Sequence, residues 1–407
     1  MATIPCFREN ERPTLINLEN MTAAEATERN GKLGDIRKTA IDPNFWYPVA
    51  RSSEVKAGKA HAVSFAGEPI ALIRPREGEL YALENRCAHR QVPLHIGVVD
   101  EKGIRCSYHG WTYDRSGKCI SVPYLDACRL CPNNVRSYPC REAYGLIFVF
   151  PGEAARLESA VFPEIPSASD PKYKTRYLER RVACHYTFMH ENLMDMNHQF
   201  LHRRFMGGVQ TFFLGKRFGS NWVEADFNFK RKAGKQPLGE KLIISRSTEQ
   251  TSTQRDLMTI RTEYPYQTLR FWTAGSKNPA LDLWNVYVPV DREQRTNQTY
   301  GLMMIRRPSI PVLMELFWPF IVWFTNHIFA EDRSICELEQ AAFDEQGSDW
   351  NHEIFPAIRD LRRVLVENGI SRAETVDAEA TSPGTRRTNP GAASGGEELA
   401  NEVGQAS

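Results

Sequence analysis

Two pairs of potential metal ligands lie close together in the first third of the chain. Cys87 and His89 form a C-x-H pair, Cys106 and His109 form a C-x-x-H pair, and sixteen residues separate His89 from Cys106. Thiolates bind iron–sulfur clusters or zinc, and imidazoles bind several metals, so the ligand types alone leave zinc open. In a Rieske [2Fe-2S] cluster two cysteines hold one iron and two histidines the other, with one ligand of each type from each loop. The spacing therefore predicts a [2Fe-2S] cluster, with a zinc ribbon as the alternative.

A second group of ligand types occupies residues 190–204. If this segment is one α-helix with 3.6 residues per turn, Asp195, His198 and His202 lie within about a sixth of a turn of one another. Two histidines and one carboxylate around an iron(II) ion leave positions open for dioxygen and substrate. The segment therefore predicts a mononuclear iron(II) site with His198 and His202 as ligands. We expect its carboxylate ligand to come from elsewhere in the chain.

Residues 45–123 resemble the Rieske domain of ring-hydroxylating and demethylating oxygenases. The resemblance begins at F-W-Y-P-V-A (45–50), includes the H-G-W sequence that starts at His109, and ends at Pro123. The chain departs from the family where Ser107 replaces the commoner proline, a change that leaves all four expected ligands in place.

The segment around His198 resembles the N-x-x-D-x-x-H motif in the catalytic domains of the same family, the Rieske non-heme iron oxygenases. Asn192, Asp195 and His198 match this motif position by position. The family usually has four residues between its two histidine ligands, whereas three separate His198 from His202. His202 is still the expected second ligand, and His327 is the next histidine to test.

The resemblance also implies roles for three carboxylates. Family members carry an acidic iron ligand at the start of the C-terminal helix, often within a Glu-Asp pair, and Glu331-Asp332 has that place here. Asp332 is the expected ligand and Glu331 the alternative, while helix N-terminal charges favoured by the dipole are a third interpretation. Asp195 is implied to bridge an iron-bound histidine and a cluster histidine of a neighbouring subunit. Such a bridge implies a homotrimer or a higher oligomer.

By this resemblance, the chain is expected to be a terminal oxygenase that uses dioxygen on a small-molecule substrate. A separate NAD(P)H-dependent reductase, with or without a ferredoxin, would supply electrons, because no G-x-G-x-x-G motif follows a predicted strand. The expected reaction is hydroxylation, dihydroxylation or oxidative demethylation of an apolar aromatic or polycyclic molecule. Four aromatic residues are candidates for its pocket or for ordinary core packing: Phe271, Trp272, Trp284 and Tyr287. The competing hypothesis is a Rieske-type electron-transfer protein without oxygenase activity.

These sites require an α+β chain with an all-β cluster domain (45–152) before a helix-grip catalytic domain (163–370). Short apolar runs between glycine-rich turns predict strands at 62–65, 70–73, 80–83 and 145–150 in the first domain. In the second we predict a helix at 190–204, a closing helix at 331–368, and one antiparallel sheet. Its strands are predicted at 179–187, 222–230, 241–245, 257–264, 268–273, 283–290 and 298–306. Residues 1–44 are predicted to be a polar lead-in, and residues 371–407 a disordered tail.

The composition favours a cytoplasmic protein without nucleic-acid partners. Lysine plus arginine number 51 and aspartate plus glutamate 50, so no basic excess indicates binding to an anionic polymer or membrane. Nine cysteines, unevenly spaced, favour reduced thiols, and residues 1–30 lack the pattern of a secretory signal. Polar residues interrupt the apolar segment 310–330, so we predict a buried helix there and no membrane span.

Overall fold

Antiparallel sheets contain every strand in the part of the chain that the structure describes. This structure is a computed structural model, and it describes residues 35–125, 133–233, 238, 240 and 256–371. The first twelve strands are β1 (Thr39–Ala40), β2 (Tyr47–Arg51), β3 (Lys59–Phe65), β4 (Glu68–Arg74), β5 (Tyr81–Glu84), β6 (Val98–Asp100), β7 (Gly103–Arg105), β8 (Thr112–Tyr113), β9 (Cys119–Ser121), β10 (Ser137–Tyr138), β11 (Cys140–Ala143) and β12 (Leu146–Val149). The others are β13 (Tyr173–Val182), β14 (Gly208–Phe218), β15 (Trp222–Ala233), β16 (Leu257–Glu263), β17 (Tyr266–Trp272), β18 (Leu281–Pro289), β19 (Asn297–Arg306) and β20 (Ile370–Ser371).

The strands from β2 to β12 form three small sheets, with the orders β11-β12-β2, β10-β5-β4-β3 and β6-β7-β8-β9. Strand β4 is buried on both faces, which explains its unbroken apolar run. Ile70 and Leu72 belong to the main core, whereas Ala71 and Ile73 belong to a second core that includes Cys87. Cys87 is therefore anchored in a hydrophobic core that is separate from the main one.

A seven-stranded sheet forms the centre of the second half, with the order β13-β19-β18-β17-β16-β15-β14. On one face, Gln267 donates a hydrogen bond to the carbonyl of His190 at 2.9 Å, which ties the sheet to a helix. On the other face, the ring of Trp284 lies 6.2 Å from that of Phe148 in β12. The sheet therefore packs between helices and the small sheets, and the predicted α+β class is confirmed.

The short helices of the second half are α1 (Pro166–Ser169), α2 (Tyr186–Met194) and α3 (Arg203–Met206), and the last two overlap the second ligand segment. The prediction of one continuous helix at 190–204 is wrong. The backbone leaves helical geometry at Asp195, with φ −91° and ψ 88°, and continues as a 3-10 helix over Met196–Phe200. The side chain of Asp195 accepts a hydrogen bond from the amide of Asn197, and such local bonds favour caps over helix interiors.

Two helices replace the single closing helix predicted at 331–368. Helix α4 (Pro311–Gln346) ends where Gly347 adopts a left-handed conformation, and α5 (Pro356–Asn368) begins at a proline. By length and composition alone, residues Val312–Gln346 could cross a membrane. The outward face of this helix exposes Val312 and Leu316, so the prediction of a buried helix is wrong for that face.

Several predicted boundaries differ from the structure. Strand β13 begins at Tyr173 and ends at Val182, so the strand predicted at 179–187 begins and ends too late along the chain. Strand β14 was not predicted because its glycines and charges obscure the alternation. Part of the polar lead-in is structural, since β1 pairs with β20 and Ile36 and Ile41 are buried. The strand predicted at 241–245, most of the lead-in and nearly all of the predicted tail lie outside the described residues.

Candidate metal centres

The first ligand group lies on two loops closed by backbone hydrogen bonds. The amide of Cys87 donates to the carbonyl of Val92 at 2.9 Å, and the amide of Gln91 donates to the carbonyl of Cys87 at 2.7 Å. In the other loop, the amide of Cys106 donates to the carbonyl of Trp111 at 2.8 Å. Each loop thus turns tightly around its cysteine.

The two loops bring ligands of the same type together. Cys87 and Cys106 are buried with their side chains in contact, while the rings of His89 and His109 lie 4.6 Å apart and are partly exposed. Trp111 stacks on His89, with ring centroids 4.9 Å apart and planes 4° from parallel. The sulfur pair is therefore on the inner side and the imidazole pair on the outer side.

This pairing suits two irons better than one zinc ion, because zinc needs four ligand atoms around a single point. Within the described residues, only one group of three or more His, Cys, Asp or Glu residues has all its ligand atoms within 4.8 Å of one another. That group is His198, His202 and Asp332. The four ligands of the first group do not converge in this way. Burial raises the pKa of the Cys106 thiol, and the adjacent Cys87 adds to the rise, so a bound metal would be needed to keep Cys106 as a thiolate.

The second ligand group joins the 3-10 helix, the residue before α3, and α4. Asp332 Oδ1 lies 3.2 Å from His202 Nε2 and 3.9 Å from His198 Nε2, and the two imidazole rings are 5.1 Å apart. Asp332 Oδ1 is buried and has no hydrogen-bond partner among the described residues. Three lone-pair donors that converge on one point, with little access to water, fit a divalent metal ion.

Glu331 contacts the other nitrogen of the same histidine, since its Oε2 lies 3.0 Å from His202 Nδ1. Burial alone would lower the pKa of His202, but the carboxylates of Asp332 and Glu331 outweigh it and raise that pKa. Burial lowers the pKa of His198 despite the nearby Asp332. His198 is therefore neutral at neutral pH, as a metal ligand must be.

The carboxylate of Asp195 does not bond to either histidine ring in this structure, although the carbonyl of Asp195 accepts from the backbone amide of His198 at 3.4 Å. Its Oδ1 accepts from the amide and the side-chain nitrogen of Asn197, both at 2.8 Å. Asp195 nevertheless lies close enough to His198 for its charge to favour the protonated form of that ring. The Nδ1 atom of His198 is buried, and no partner for it exists within the described residues.

Sequence reasoning missed a buried ionic cluster within the second motif segment. Glu191 forms ion pairs with Arg37 and Arg362, and Arg362 also pairs with Asp349 at 3.2 Å. The guanidinium of Arg37 also lies over the ring of Phe188, 3.5 Å from its centroid. The cluster fixes α2 to α5 and to the segment before β1, so it holds the helix that leads into His198 and His202. The only local signal for this cluster in the sequence was Glu191 beside the motif, and its burial is visible only in the structure.

The four aromatic pocket candidates divide between the two faces of the large sheet. Trp284 packs on Tyr266 and Phe148, which supports core packing for that residue. Phe271 instead lines a cleft near the end of α3, with a cavity volume of about 50 Å³. The other residues that line this cleft are Met206, Val209, Phe229, Arg231, Glu240 and Met258.

Comparison with known proteins gives matches over both halves of the chain. Residues 45–139 match the Rieske [2Fe-2S] domain, and residues 182–359 match the vanillate O-demethylase oxygenase C-terminal domain. A 4beta-methylsterol monooxygenase of Methylococcus capsulatus is 28% identical over 364 residues, which cover 86% of this chain and 94% of that relative. The dicamba O-demethylase oxygenase component of Stenotrophomonas maltophilia is 34% identical over 39% of this chain and 47% of its own length.

A crystal structure of dicamba monooxygenase bound to dicamba shares the fold, with a TM-score of 0.66 and 21% identity. The match covers 84% of this chain and all of that chain. The chain belongs to the Rieske non-heme iron oxygenases. It is an oxygenase that carries a Rieske [2Fe-2S] cluster and uses a mononuclear iron. As an oxygenase component, it acts with dioxygen, a substrate and a separate reductase or ferredoxin.

Proposed function

We propose that this chain is a terminal monooxygenase that hydroxylates or oxidatively demethylates an apolar polycyclic molecule of the sterol type. The grouping of His198, His202 and Asp332 carries the proposal, because a pure electron carrier has no use for a second metal site. The relative that matches nearly the whole chain is named for a methylsterol substrate, which supports the substrate class. The proposed domains are residues 45–152 for the cluster and 163–370 for catalysis, in a cytoplasmic protein without a membrane span.

In this proposal Cys87, Cys106, His89 and His109 hold the cluster, and His198, His202 and Asp332 hold the iron. When bound, these groups supply single electrons and the activation of dioxygen. The protein orients the ligands and limits the access of water: the side chains of His202 and Asp332 are 8% and 13% exposed. Burial disfavours the protonated form of His198, so its neutral ring has a lone pair with which to bind the iron.

The cleft beside α3 is proposed as one part of the substrate site, because its volume of about 50 Å³ is too small for a whole polycyclic molecule. Its walls are mostly apolar, from Met206, Val209, Phe229, Met258 and Phe271. Its charged residues, Arg231 and Glu240, pair with each other and thus leave little net charge for a ligand. A carboxylate substrate would have to displace Glu240 from Arg231, whereas a neutral apolar molecule would not. This difference favours a sterol-like substrate over an aromatic acid.

Substrate-dependent oxygen consumption tests the proposed function. The purified protein, with a surrogate reductase and NADH, would be supplied with 4-methylsterols, methoxybenzoates or no substrate. We expect oxygen uptake coupled to sterol oxidation, together with two cluster irons and one mononuclear iron per chain. Two irons per chain and no substrate-dependent uptake would instead indicate an electron-transfer protein. Coupled uptake with methoxybenzoates alone would keep the oxygenase and overturn the substrate class.

We also propose that the protein works as a homotrimer or higher oligomer, in which the cluster of one subunit faces the iron of the next. Exposed aromatic residues accompany both centres: Tyr108 is 57% exposed beside His109, and Phe200 is 77% exposed beside His198. Asp195 is the proposed bridge between the centres, and the absence of a partner for His198 Nδ1 among the described residues supports it.

Replacing Asp195 by Asn should slow electron transfer from the cluster to the mononuclear iron by about 10- to 100-fold, or about 1.4–2.8 kcal/mol. Asparagine is as good an N-cap as aspartate, so the local fold and the iron content should be kept while the bridging charge is lost. Rapid-mixing measurements of cluster reoxidation, with substrate and oxygen present, report this step. An unchanged rate would rule out the bridge. Selective loss of the mononuclear iron would make Asp195 an iron ligand.

A further inference from the structure

Two adjacent carboxylates on α4 contact opposite sides of one imidazole. Asp332 Oδ1 lies 3.2 Å from Nε2 of His202, and Glu331 Oε2 lies 3.0 Å from Nδ1 of the same ring. The two nitrogens point in different directions, so one metal ion can use only one of them. His198 Nε2 lies 3.9 Å from Asp332 Oδ1, which places the metal on the Nε2 side. Glu331 is therefore on the side of His202 that faces away from the metal.

We propose that Glu331 is a positioning residue that accepts the Nδ1–H hydrogen bond of His202 and so directs the Nε2 lone pair towards the iron. This inference rests on the proposed iron-binding role of His198, His202 and Asp332. A neutral imidazole carries one N–H, and an acceptor at Nδ1 fixes that proton there and leaves Nε2 free to bind metal. A carboxylate acceptor also increases the basicity of the ligating nitrogen.

The surroundings make this hydrogen bond hard to replace. The side chains of His202 and Glu331 are 8% and 22% exposed, so water has little room to take the place of the carboxylate. His198 differs, because its buried Nδ1 has no such acceptor among the residues that the structure describes. Among the described residues, His202 thus has a carboxylate acceptor at Nδ1 and His198 does not, so the two rings are held differently. Its shortened spacing from His198 makes this support valuable, because the backbone between them is not a regular helix.

Two substitutions separate the charge of Glu331 from its hydrogen bond. Glu331→Gln keeps the length and one acceptor oxygen but removes the charge, while Glu331→Leu removes the acceptor. Glu345→Gln is the matched control, because Glu345 is exposed on the same helix. The measurements are the Fe(II) dissociation constant of the mononuclear site, from chelator competition on the cluster-loaded protein, and the ligand-field spectrum of the Co(II)-substituted site. The cluster absorption spectrum and the thermal midpoint report folding.

We expect Fe(II) binding about 10-fold weaker in Glu331→Gln and about 100-fold weaker in Glu331→Leu, with the control unchanged. At saturating Fe(II), each variant should still take up one mononuclear iron, and the Co(II) bands should shift most in Glu331→Leu. Wild-type affinity and Co(II) bands in both variants would overturn the inference. So would loss of all mononuclear iron in Glu331→Gln together with its retention in Asp332→Asn, because Glu331 would then be the ligand. If Glu331→Leu does not fold, the Fe(II) affinity and the Co(II) spectrum of Glu331→Gln test the inference. Failure of the wild-type protein to bind a mononuclear metal would refute the proposed function itself.

Discussion

Replacing His198 by Ala is expected to abolish oxygenation and to leave the Rieske cluster intact. The substitution removes one of three ligand atoms that lie within 4.8 Å of one another, and the remaining pair cannot hold the iron in its place. Cys87 and Cys106 belong to a separate hydrophobic core, so the environment of the proposed cluster ligands should not change. The variant should contain two irons and two sulfides per chain in place of three irons and two sulfides. Metal analysis, the electron paramagnetic spectrum of the reduced cluster and substrate-dependent oxygen uptake check these outcomes.

His202→Ala should behave in the same way, and His327→Ala is the matched control. His327 lies on α4, but its ring packs against Phe205 and Trp323, with centroids 5.2 Å and 4.5 Å away. Its Nδ1 donates to the carbonyl of Trp323 at 2.8 Å, so one ring nitrogen is already occupied. We expect His327→Ala to keep its mononuclear iron. Full iron content in His202→Ala, with loss in His327→Ala, would show that the shortened spacing moves the second ligand to residue 327.

Removing the charge of Glu191 is expected to destabilise the catalytic part of the chain by about 3–5 kcal/mol. Glu191→Ala leaves the guanidinium group of Arg37 buried without its counter-ion and leaves Arg362 with Asp349 alone, and the two arginine side chains are only 1% and 9% exposed. For a unit of about 200 residues, this loss corresponds to a thermal midpoint roughly 6–20 °C lower. Differential scanning calorimetry of the cluster-loaded protein measures the midpoint.

An exposed ion pair provides the control for Glu191. Glu79 contacts Arg115 at 3.2 Å with side chains 89% and 54% exposed, so Glu79→Gln should cost less than about 1 kcal/mol. Equal midpoints for the two variants would show that the buried cluster adds nothing to stability.

The contribution of Glu191 to stability also has a defined pH range. Burial opposes ionisation, but Arg37 and Arg362 lower the pKa of Glu191 below its usual value. The stabilisation is therefore complete above the unfolded-state pKa of about 4.3 and is lost as pH falls through the folded-state pKa.

Local chemistry carried the prediction of family, fold class and cofactors, which the comparisons confirm. The C-x-H and C-x-x-H pairs each lie within one loop, so short spacing alone shows which ligand types are presented together. The antiparallel sheet could also be predicted from the sequence, because β15 to β19 are runs rich in apolar and β-branched residues. The ligand roles of individual residues remain predictions that the proposed substitutions test.

Predictions from local sequence patterns were wrong or missing where a side chain competes with the backbone for hydrogen bonds, where exposure depends on packing, or where a charge is buried. The motif from Asn192 to His198 has helical spacing, but the Asp195 side chain caps the following 3-10 helix and so ends the α-helix before it. The periodicity of residues 310–330 could not show that one apolar face stays exposed, because exposure depends on what packs against each face. Likewise, nothing in the segment before residue 44 indicates that Arg37 pairs with Glu191, 154 positions further along the chain.

The amino-acid sequence by itself determined the ligand types, their local spacing and the alternation that builds the sheets, because these depend on neighbours in the chain. Only the tertiary structure decided how Glu331 and Asp332 divide the two nitrogens of His202, with contacts of 3.0 Å and 3.2 Å. The two carboxylates are consecutive and chemically alike, so no local rule separates them. The packing of α4 against the 3-10 helix and α3 sets which carboxylate meets which nitrogen, and that packing depends on contacts between residues about 130 positions apart.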